Sequence, residues 1–457
     1  MKSIFSWLLA ATLVLLASLA GATNVRASTP KLSAAEIQIV KHVDDHYGET
    51  LALLETAVNI NSGTNNFPGV SATADLFEPR LQKLGFKTWR EDMGTVKRGV
   101  HLFATHPGTG PRLLLIGHLD TIFEPSSGFL KWKVLGNGFA SGPGAGDMKG
   151  GDVVLLETLE ALQAAGELSK MNISVALTGD EETPGADTDG SYTTTRSTLI
   201  NLGKNTDYVL GFEPATGNMN SIKTYRRGSS TWFLTMAAKT GHSSIVFNKN
   251  MGPGAAYPVT KILSRFYQDL RTDPSITFNV GHIVSGSAID RDTPYSAKVS
   301  GKDNVIAAKT EVYGDIRFLT PEILQDTRKK MSSIIDEEVS AINAEYDAEA
   351  HVSSTFTYAD RYPAMVETPG NLALLDKLST ASTDLGFGSL AHYTANGGAA
   401  DASFVAPFVS GVVDGLGPFT VGMHSKDEIV DLSSIKTSAK RAAVFMLRLK
   451  NEARASR

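Results

Sequence analysis

The sequence predicts an α/β protein: a parallel-rich sheet covered by helices, with an α+β sandwich inserted into it. Three observations carry that expectation. Up to Phe212, short apolar runs alternate with segments of helical periodicity, as in a helix-covered parallel sheet. Between Thr231 and Thr357 the order changes to strand, helix, strand, strand, helix, strand. From residue 360 onward the chain returns to the first style.

Residues 34–61 carry apolar positions Ile37, Ile39, Val40, Val43, Leu51, Leu53 and Leu54, which predict a helix. His42 and His46 lie four apart on it, a spacing that can hold a metal. No His-Glu-x-x-His context accompanies them, so they are expected on a solvated face. A polar loop over 59–68 precedes a helix at 70–84, stopped by Gly85. Strands are expected at 86–90 and 101–105, with His101 and His106 structural or exposed. The apolar run 113–116, cut off by Gly117, reads as a buried strand of a parallel sheet. A helix at 153–165, a strand at 173–177, a helix at 192–203 and a strand at 208–212 follow. The inserted part should hold strands at 231–238, 276–283, 309–318 and 355–357. Its helices are expected at 255–270 and from Pro321 to about 341. Helices at 371–385 and 434–450 complete the chain.

A chain of 457 residues, 42% hydrophobic, has room for two or three domains with large cores. A net charge of −5 gives no basic surface for nucleic acid. The absence of cysteine excludes disulfides, thiolate zinc sites and a cysteine nucleophile. Any metal must be held by histidines and carboxylates. Lys2, the apolar run 7–19 and Ala20-Gly21-Ala22 have the pattern of a cleavable signal peptide over 1–22. The run is short of the roughly 20 residues a membrane span needs. The mature protein is expected to be soluble and secreted or periplasmic.

The residues suited to chemistry gather at strand ends. His118 and Asp120 directly follow strand 113–116, where open α/β sheets place their ligand crevice. Asp147 sits in a glycine-dense turn just before a helix, Glu181 and Glu182 follow strand 173–177, and Glu213 ends strand 208–212. Imidazole and carboxylate donors of this kind suit zinc or a related divalent ion.

GHLDT, GPGAGDMKGG, GDEE, GFEPA and GPFTVGMH occur in that order. Together they resemble the M20 metallopeptidases, in their glutamate carboxypeptidase branch, over nearly all of the chain after the first ~35 residues. The resemblance implies a zinc-exopeptidase-like catalytic domain in two parts, 34–221 and 360–457. Residues 222–359 would form a lid that often also serves dimerisation. It implies two Zn2+ ions, with Co2+ or Mn2+ as alternatives, bridged by Asp147. His118 and Glu213 would complete one site, and Glu182 and His424 the other. Asp120 would orient His118 through its second ring nitrogen. Glu181 would be the general base. Adjacent residues of an extended segment face opposite ways, so Glu181 and Glu182 can divide these roles.

By the same resemblance, His242 in its Gly-His-Ser turn reaches a neighbouring subunit's site and helps bind the oxyanion. Arg317 takes a substrate carboxylate, a task that suits a bidentate guanidinium, and Asn304 matches the asparagine paired with it. Residues 396–402, NGGAADA, resemble the family's Gly-Gly-x-x-Asp-Ala turn. There Gly397 and Gly398 would let substrate approach the backbone closely. Two features bear on the branch. The loop 140–146 is more glycine-rich than the common Gly-Arg-Gly form, and Glu rather than Asp at 213 is the form of the carboxypeptidase and deacylase branches. The implied function is an exported amidohydrolase that cleaves a peptide or N-acyl bond beside a free carboxylate, glutamate for example. Alternatives are an aminopeptidase or N-acyl-amino-acid deacylase on the same scaffold, or an exported binding protein. The last predicts a lost ligand or base, and all six positions are filled.

Overall fold

The expected strand 113–116 extends in the computed structural model to Thr109–His118 and lies in the interior of a six-stranded sheet. The structure describes residues 32–293, 296–392 and 398–452. The signal peptide expected at 1–22, with Asn396 and Gly397, lies outside the described residues. The strand order is Lys87–Asp92, Val100–His106, Met171–Thr178, Thr109–His118, Tyr208–Gly211, Gly411–Val413. The last four run parallel, and the first two add an antiparallel edge. Parallel strands end on a common side of the sheet. His118 pairs in register with Thr178, and Ile116 with Gly211. The residues just beyond these strand ends, Glu181, Glu182 and Glu213, therefore emerge beside His118.

Helices α1 (Ala34–Asp45), α2 (Tyr47–Val58), α3 (Phe67–Lys83) and α4 (Lys149–Ala164) precede the third strand of this sheet in sequence or follow it closely. α1 starts at Ser33, which forms a capping box with Glu36. The helix expected over 34–61 is two helices, broken at His46 (φ −101°, ψ 6°). The His46 N–H and ring Nδ1 both approach the His42 carbonyl at 3.0 Å, which closes α1. Gly48, a weak helix former, follows at once. α4 is buried over every residue from Lys149 to Leu159. It packs against α1, α2 and the closing helix Leu432–Lys450. A Cβ on Gly151 would run into the Phe212 carbonyl, so glycine is needed where α4 meets the sheet.

A second, wholly antiparallel sheet has the order Ile276–Gly286, Lys309–Phe318, Gly228–Ala237, Ser353–Asp360. Helices Ala256–Leu270 and Pro321–Asn343 cover one face around Trp232, Phe266, Ile316 and Met331. The alternating burial of Ile276–Gly286 shows why that face alone is apolar. Two features go beyond the sequence expectation. One is a hairpin of Ala288–Thr293 and Ser296–Ser300. The other is a small sheet of Lys133–Gly136, Phe139–Ser141, Ile429–Asp431 and Thr420–Val421. No described helix is long and apolar enough to cross a membrane.

The solvated face expected for His42 is corrected by the packing of α1 on α4. The His42 side chain is only 17% exposed, and its Nε2 faces Glu157 Oε1 at 3.8 Å. Burial pushes the Glu157 carboxyl up to about 7. Its folded pKa lies above the unfolded value, so the folded state holds the extra proton between about pH 4.5 and 7. Stability from this group therefore falls as pH rises through that window. Glu157→Gln removes the penalty. In chelator-containing buffer its thermal midpoint should exceed wild type at pH 8, by the equivalent of about 1–3 kcal/mol, and match it near pH 4.5. Equal midpoints at pH 8 would reject this account.

Candidate active site

His118 ends its strand with its ring buried, and both nitrogens face acidic groups. Nδ1 lies 3.1 Å from the Asp120 carbonyl and 3.2 Å from Asp120 Oδ1. Nε2 lies 3.3 Å from Asp147 Oδ1 and 3.7 Å from Glu213 Oε1. Both acceptors beside Nδ1 belong to Asp120, and Nε2 is the nitrogen turned toward the acidic cluster. Asp120 also pins the acidic pair. Its Oδ1 accepts the Glu181 N–H at 3.0 Å, and its Oδ2 accepts the Glu182 N–H at 3.2 Å and the Thr64 hydroxyl at 2.7 Å.

Asp147 stands between the two histidines. Its Oδ1 faces His118, and its Oδ2 lies 3.2 Å from His424 Nε2. Glu182 Oε2 is 3.1 Å from the same His424 nitrogen. The side chains form two overlapping groups, His118–Asp147–Glu213 and Asp147–Glu182–His424. Within each, the nearest donor atoms lie within 4.8 Å of one another. His424 has φ +61°, a left-handed conformation that turns its ring back over Asp147.

The electrostatics follow from confining four carboxylates beside two imidazoles. Burial pushes the Glu181 carboxyl well above its ordinary range, and the Glu213 charge pushes it further. Burial and the Asp147 charge raise Glu182, and raise Glu213 to about 7. Asp147 goes the other way. Burial opposes its charge, but the contacts with His118 and His424 outweigh it and hold the pKa low. His424 is pushed up to about 11 by Asp147 and Glu182. This concentration of negative charge is what a pair of divalent cations would neutralise, and imidazole with carboxylate oxygen is a donor set zinc accepts. The residues present therefore fit two ions sharing Asp147.

Several supporting residues were not legible in the sequence. Buried Glu428 accepts the N–H groups of Gly144 (3.4 Å), Gly146 (2.9 Å) and Asp147 (3.2 Å). It lies four residues after His424 and so ties the two ligand loops together. The small sheet does the same through the backbone, pairing Ile429–Asp431 with Phe139–Ser141. Arg196, fully buried, joins Asp180 (2.6 Å) to Asp401 (2.8 Å) and anchors the residue before Glu181. The Tyr362 hydroxyl donates to the Glu181 carbonyl at 2.6 Å. His101, structural as expected, is buried against Thr195 and accepts the Gly179 N–H at 2.9 Å.

Asp147, Glu181, Glu213 and His424 line a cavity of about 290 Å³ together with Lys223 and Arg226. Arg226 Nε donates to Asp414 at 2.6 Å and Nη1 to the Gly398 carbonyl at 3.0 Å. Its Nη2 is buried without a hydrogen-bond partner, 4.0 Å from Glu213 Oε2. Lys223 Nζ donates to the Pro214 carbonyl at 2.9 Å, and burial lowers its pKa to about 8.

Three expected site residues stand elsewhere. Arg317 donates to Asp315 at 2.8 Å and lines a separate cavity of about 430 Å³ on the antiparallel sheet, with His282, Tyr313 and Arg361. His242 and Asn304 lie 3.5 Å apart and are both exposed, outside the carboxylate-lined cavity. The antiparallel sheet carries Arg317, and the loops beyond its strands carry the other two. None belongs to the strand ends that gather the acidic cluster.

The sequence profile of Peptidase family M20/M25/M40 matches residues 114–448. Carboxypeptidase G2 of Pseudomonas sp. (strain RS-16) is 26% identical over 433 residues, 94% of this chain and 96% of its own. Succinyl-diaminopimelate desuccinylase of Marinobacter nauticus is 25% identical over 398 residues, 85% of this chain and 95% of its own. Among solved structures, a tripeptidase from Staphylococcus aureus superposes with a TM-score of 0.70 at 19% identity, over 89% of this chain and 99% of its own. Human carnosine dipeptidase 1 does so at 0.65 and 16% identity, over 92% of this chain and all of its own. A profile match over well more than half the chain, with the His-carboxylate groups above, decides the class: the chain belongs to peptidase family M20/M25/M40 and is a metal-dependent hydrolase.

Proposed function

We propose that this enzyme cleaves a peptide or N-acyl bond adjacent to a free carboxylate, in the manner of a glutamate carboxypeptidase. The observation that carries this is the pair of buried cations, Arg226 and Lys223, in the same cavity as the acidic cluster. A buried guanidinium nitrogen without a hydrogen-bond partner, with Glu213 no nearer than 4.0 Å, is a site for a carboxylate oxygen. In this reading His118, Asp147 and Glu213 hold one zinc ion, and Asp147, Glu182 and His424 hold a second. Such ions, when bound, lower the pKa of water and polarise a carbonyl oxygen.

Glu181 takes the proton from the attacking water and delivers it to the leaving nitrogen as the C–N bond breaks. Asp120 holds both the His118 ring and the Glu181 and Glu182 amides, keeping the base beside the ligand pair. Residues 222–359 act as the lid. His242 and Asn304, paired and exposed away from their own cavity, suit delivery to the site of a second copy in a homodimer. The pattern over residues 1–22 supports export to the periplasm or medium.

Arg226→Gln, assayed on N-acyl amino acids with a free or an amidated carboxylate, tests the substrate class. The expected result is a KM raised about 10- to 100-fold for the free acid, on the scale of one charge-assisted hydrogen bond, with little change for the amide. Equal effects on both would reject the carboxylate reading. The same panel with Arg317→Ala separates the two arginines, since Arg317 is engaged by Asp315. Cleavage that requires a free α-amine would instead favour the aminopeptidase alternative.

A further inference from the structure

We propose that His42, Glu157 and Glu160 hold a third divalent cation of the zinc class, separate from the catalytic pair. Glu157 and Glu160 are three residues apart on α4 and share a face of that helix. His42 comes from α1, which packs across it. One nitrogen and two carboxylate oxygens converge with all three atoms within 4.8 Å of one another.

The independent observation is a pair of orphaned atoms. His42 Nε2 and Glu157 Oε1 are both buried, and neither has a hydrogen-bond partner. Glu157 is 3% exposed. The two atoms face each other at 3.8 Å, too far for a hydrogen bond. Ligand atoms that share an ion, each about 2 Å from it, stand roughly 3–4 Å from each other. The orphaned pair is at that spacing, and an ion between them would satisfy both.

The surroundings hold these atoms in place. Glu157 Oε2 accepts the Thr50 hydroxyl at 2.7 Å, which orients the carboxylate and leaves Oε1 for an ion. The His46 ring stacks on His42 at 4.1 Å with 22° between planes and braces it. Glu160 is 30% exposed and gives an entry path from solvent. Its Oε1 lies 3.3 Å from Arg80 Nη1, a cation that an incoming ion must displace or share with. One neutral imidazole and two carboxylates match a charge of +2. An ion here would tie α1 to α4, and through Thr50 to α2. Glu157 lies ten residues after Asp147, about 15 Å along a helix axis at 1.5 Å per residue. The site is therefore structural, bracing the helix that follows the bridging aspartate.

The test is equilibrium dialysis of the full-length holoenzyme against Zn2+, and against Co2+ for its visible spectrum, with wild type beside His42→Gln and Glu157→Gln. The expected result is one more equivalent bound by wild type than by either variant, or the same number with at least tenfold weaker binding in the variants. Turnover should be unchanged, and excess Zn2+ should raise the thermal midpoint of wild type alone. His42→Gln carries the test by itself if Glu157→Gln does not fold, since His42 lies in the last turn of α1. Identical stoichiometry and affinity in wild type and His42→Gln would overturn the proposal. A wild-type protein that binds no ion beyond the catalytic pair would also overturn it.

Discussion

Glu181→Gln should abolish most turnover while leaving the bound metal unchanged. Gln keeps the side-chain volume and the backbone contacts, because the Glu181 N–H is held by Asp120 and its carbonyl by Tyr362. It cannot accept and return a proton. General-base catalysis is worth about 10²- to 10⁴-fold, so kcat should fall by that order with KM little altered. Elemental analysis of the same preparation should give the wild-type metal content, since Glu181 is absent from both candidate ligand groups. Activity within a few-fold of wild type would remove Glu181 as the base. Loss of metal together with activity would make it a ligand instead.

Asp147→Asn should have the second large effect, and it should appear in metal content as well as in rate. Asp147 belongs to both ligand groups and separates His118 from His424. Replacing its charge with a neutral amide leaves the two imidazoles without the carboxylate that both face. The expected outcome is the loss of at least one ion per chain and a fall in kcat/KM on the order of 10³-fold or more, as when a metal and its Lewis-acid role are withdrawn. Two ions retained with activity within tenfold of wild type would exclude a bridging role. Because Glu428 holds the Asp147 loop by three backbone N–H groups, circular dichroism should show the variant folded.

Local pattern carried much of the fold. Runs such as 113–116, 173–177 and 208–212 are short and apolar because their strands are covered on both faces, and each appears as a strand in the sheet. The strand 309–318 and the helix from Pro321 were equally legible, the second by its Pro start. The break at His46 was not. Apolar positions continue through it, and what ends α1 is a local competition for the His42 carbonyl. The small sheet was hidden for a different reason. Its strands are two to four residues long, inside glycine-rich loops, and its two halves pair across nearly 300 residues of sequence.

Residue types and their order determined the chemistry available to this protein. A chain without cysteine, with His118, Asp120, Asp147, Glu181, Glu182, Glu213 and His424 at strand ends and tight turns, offers imidazole and carboxylate donors and little else for a hydrolytic centre. Strand order then decided which of these meet. Only the placement of Met171–Thr178 and Tyr208–Gly211 on either side of Thr109–His118 brings three distant segments to one edge. Tertiary packing alone decided the rest. Glu428 reaches Gly146 across 282 positions, Arg226 reaches Asp414 across 188, and His42 meets Glu157 because α1 lies on α4. A buried polar atom is satisfied, or left for a ligand, by whatever the fold places within about 3 Å of it. That distance belongs to the packed molecule, and no local periodicity encodes it.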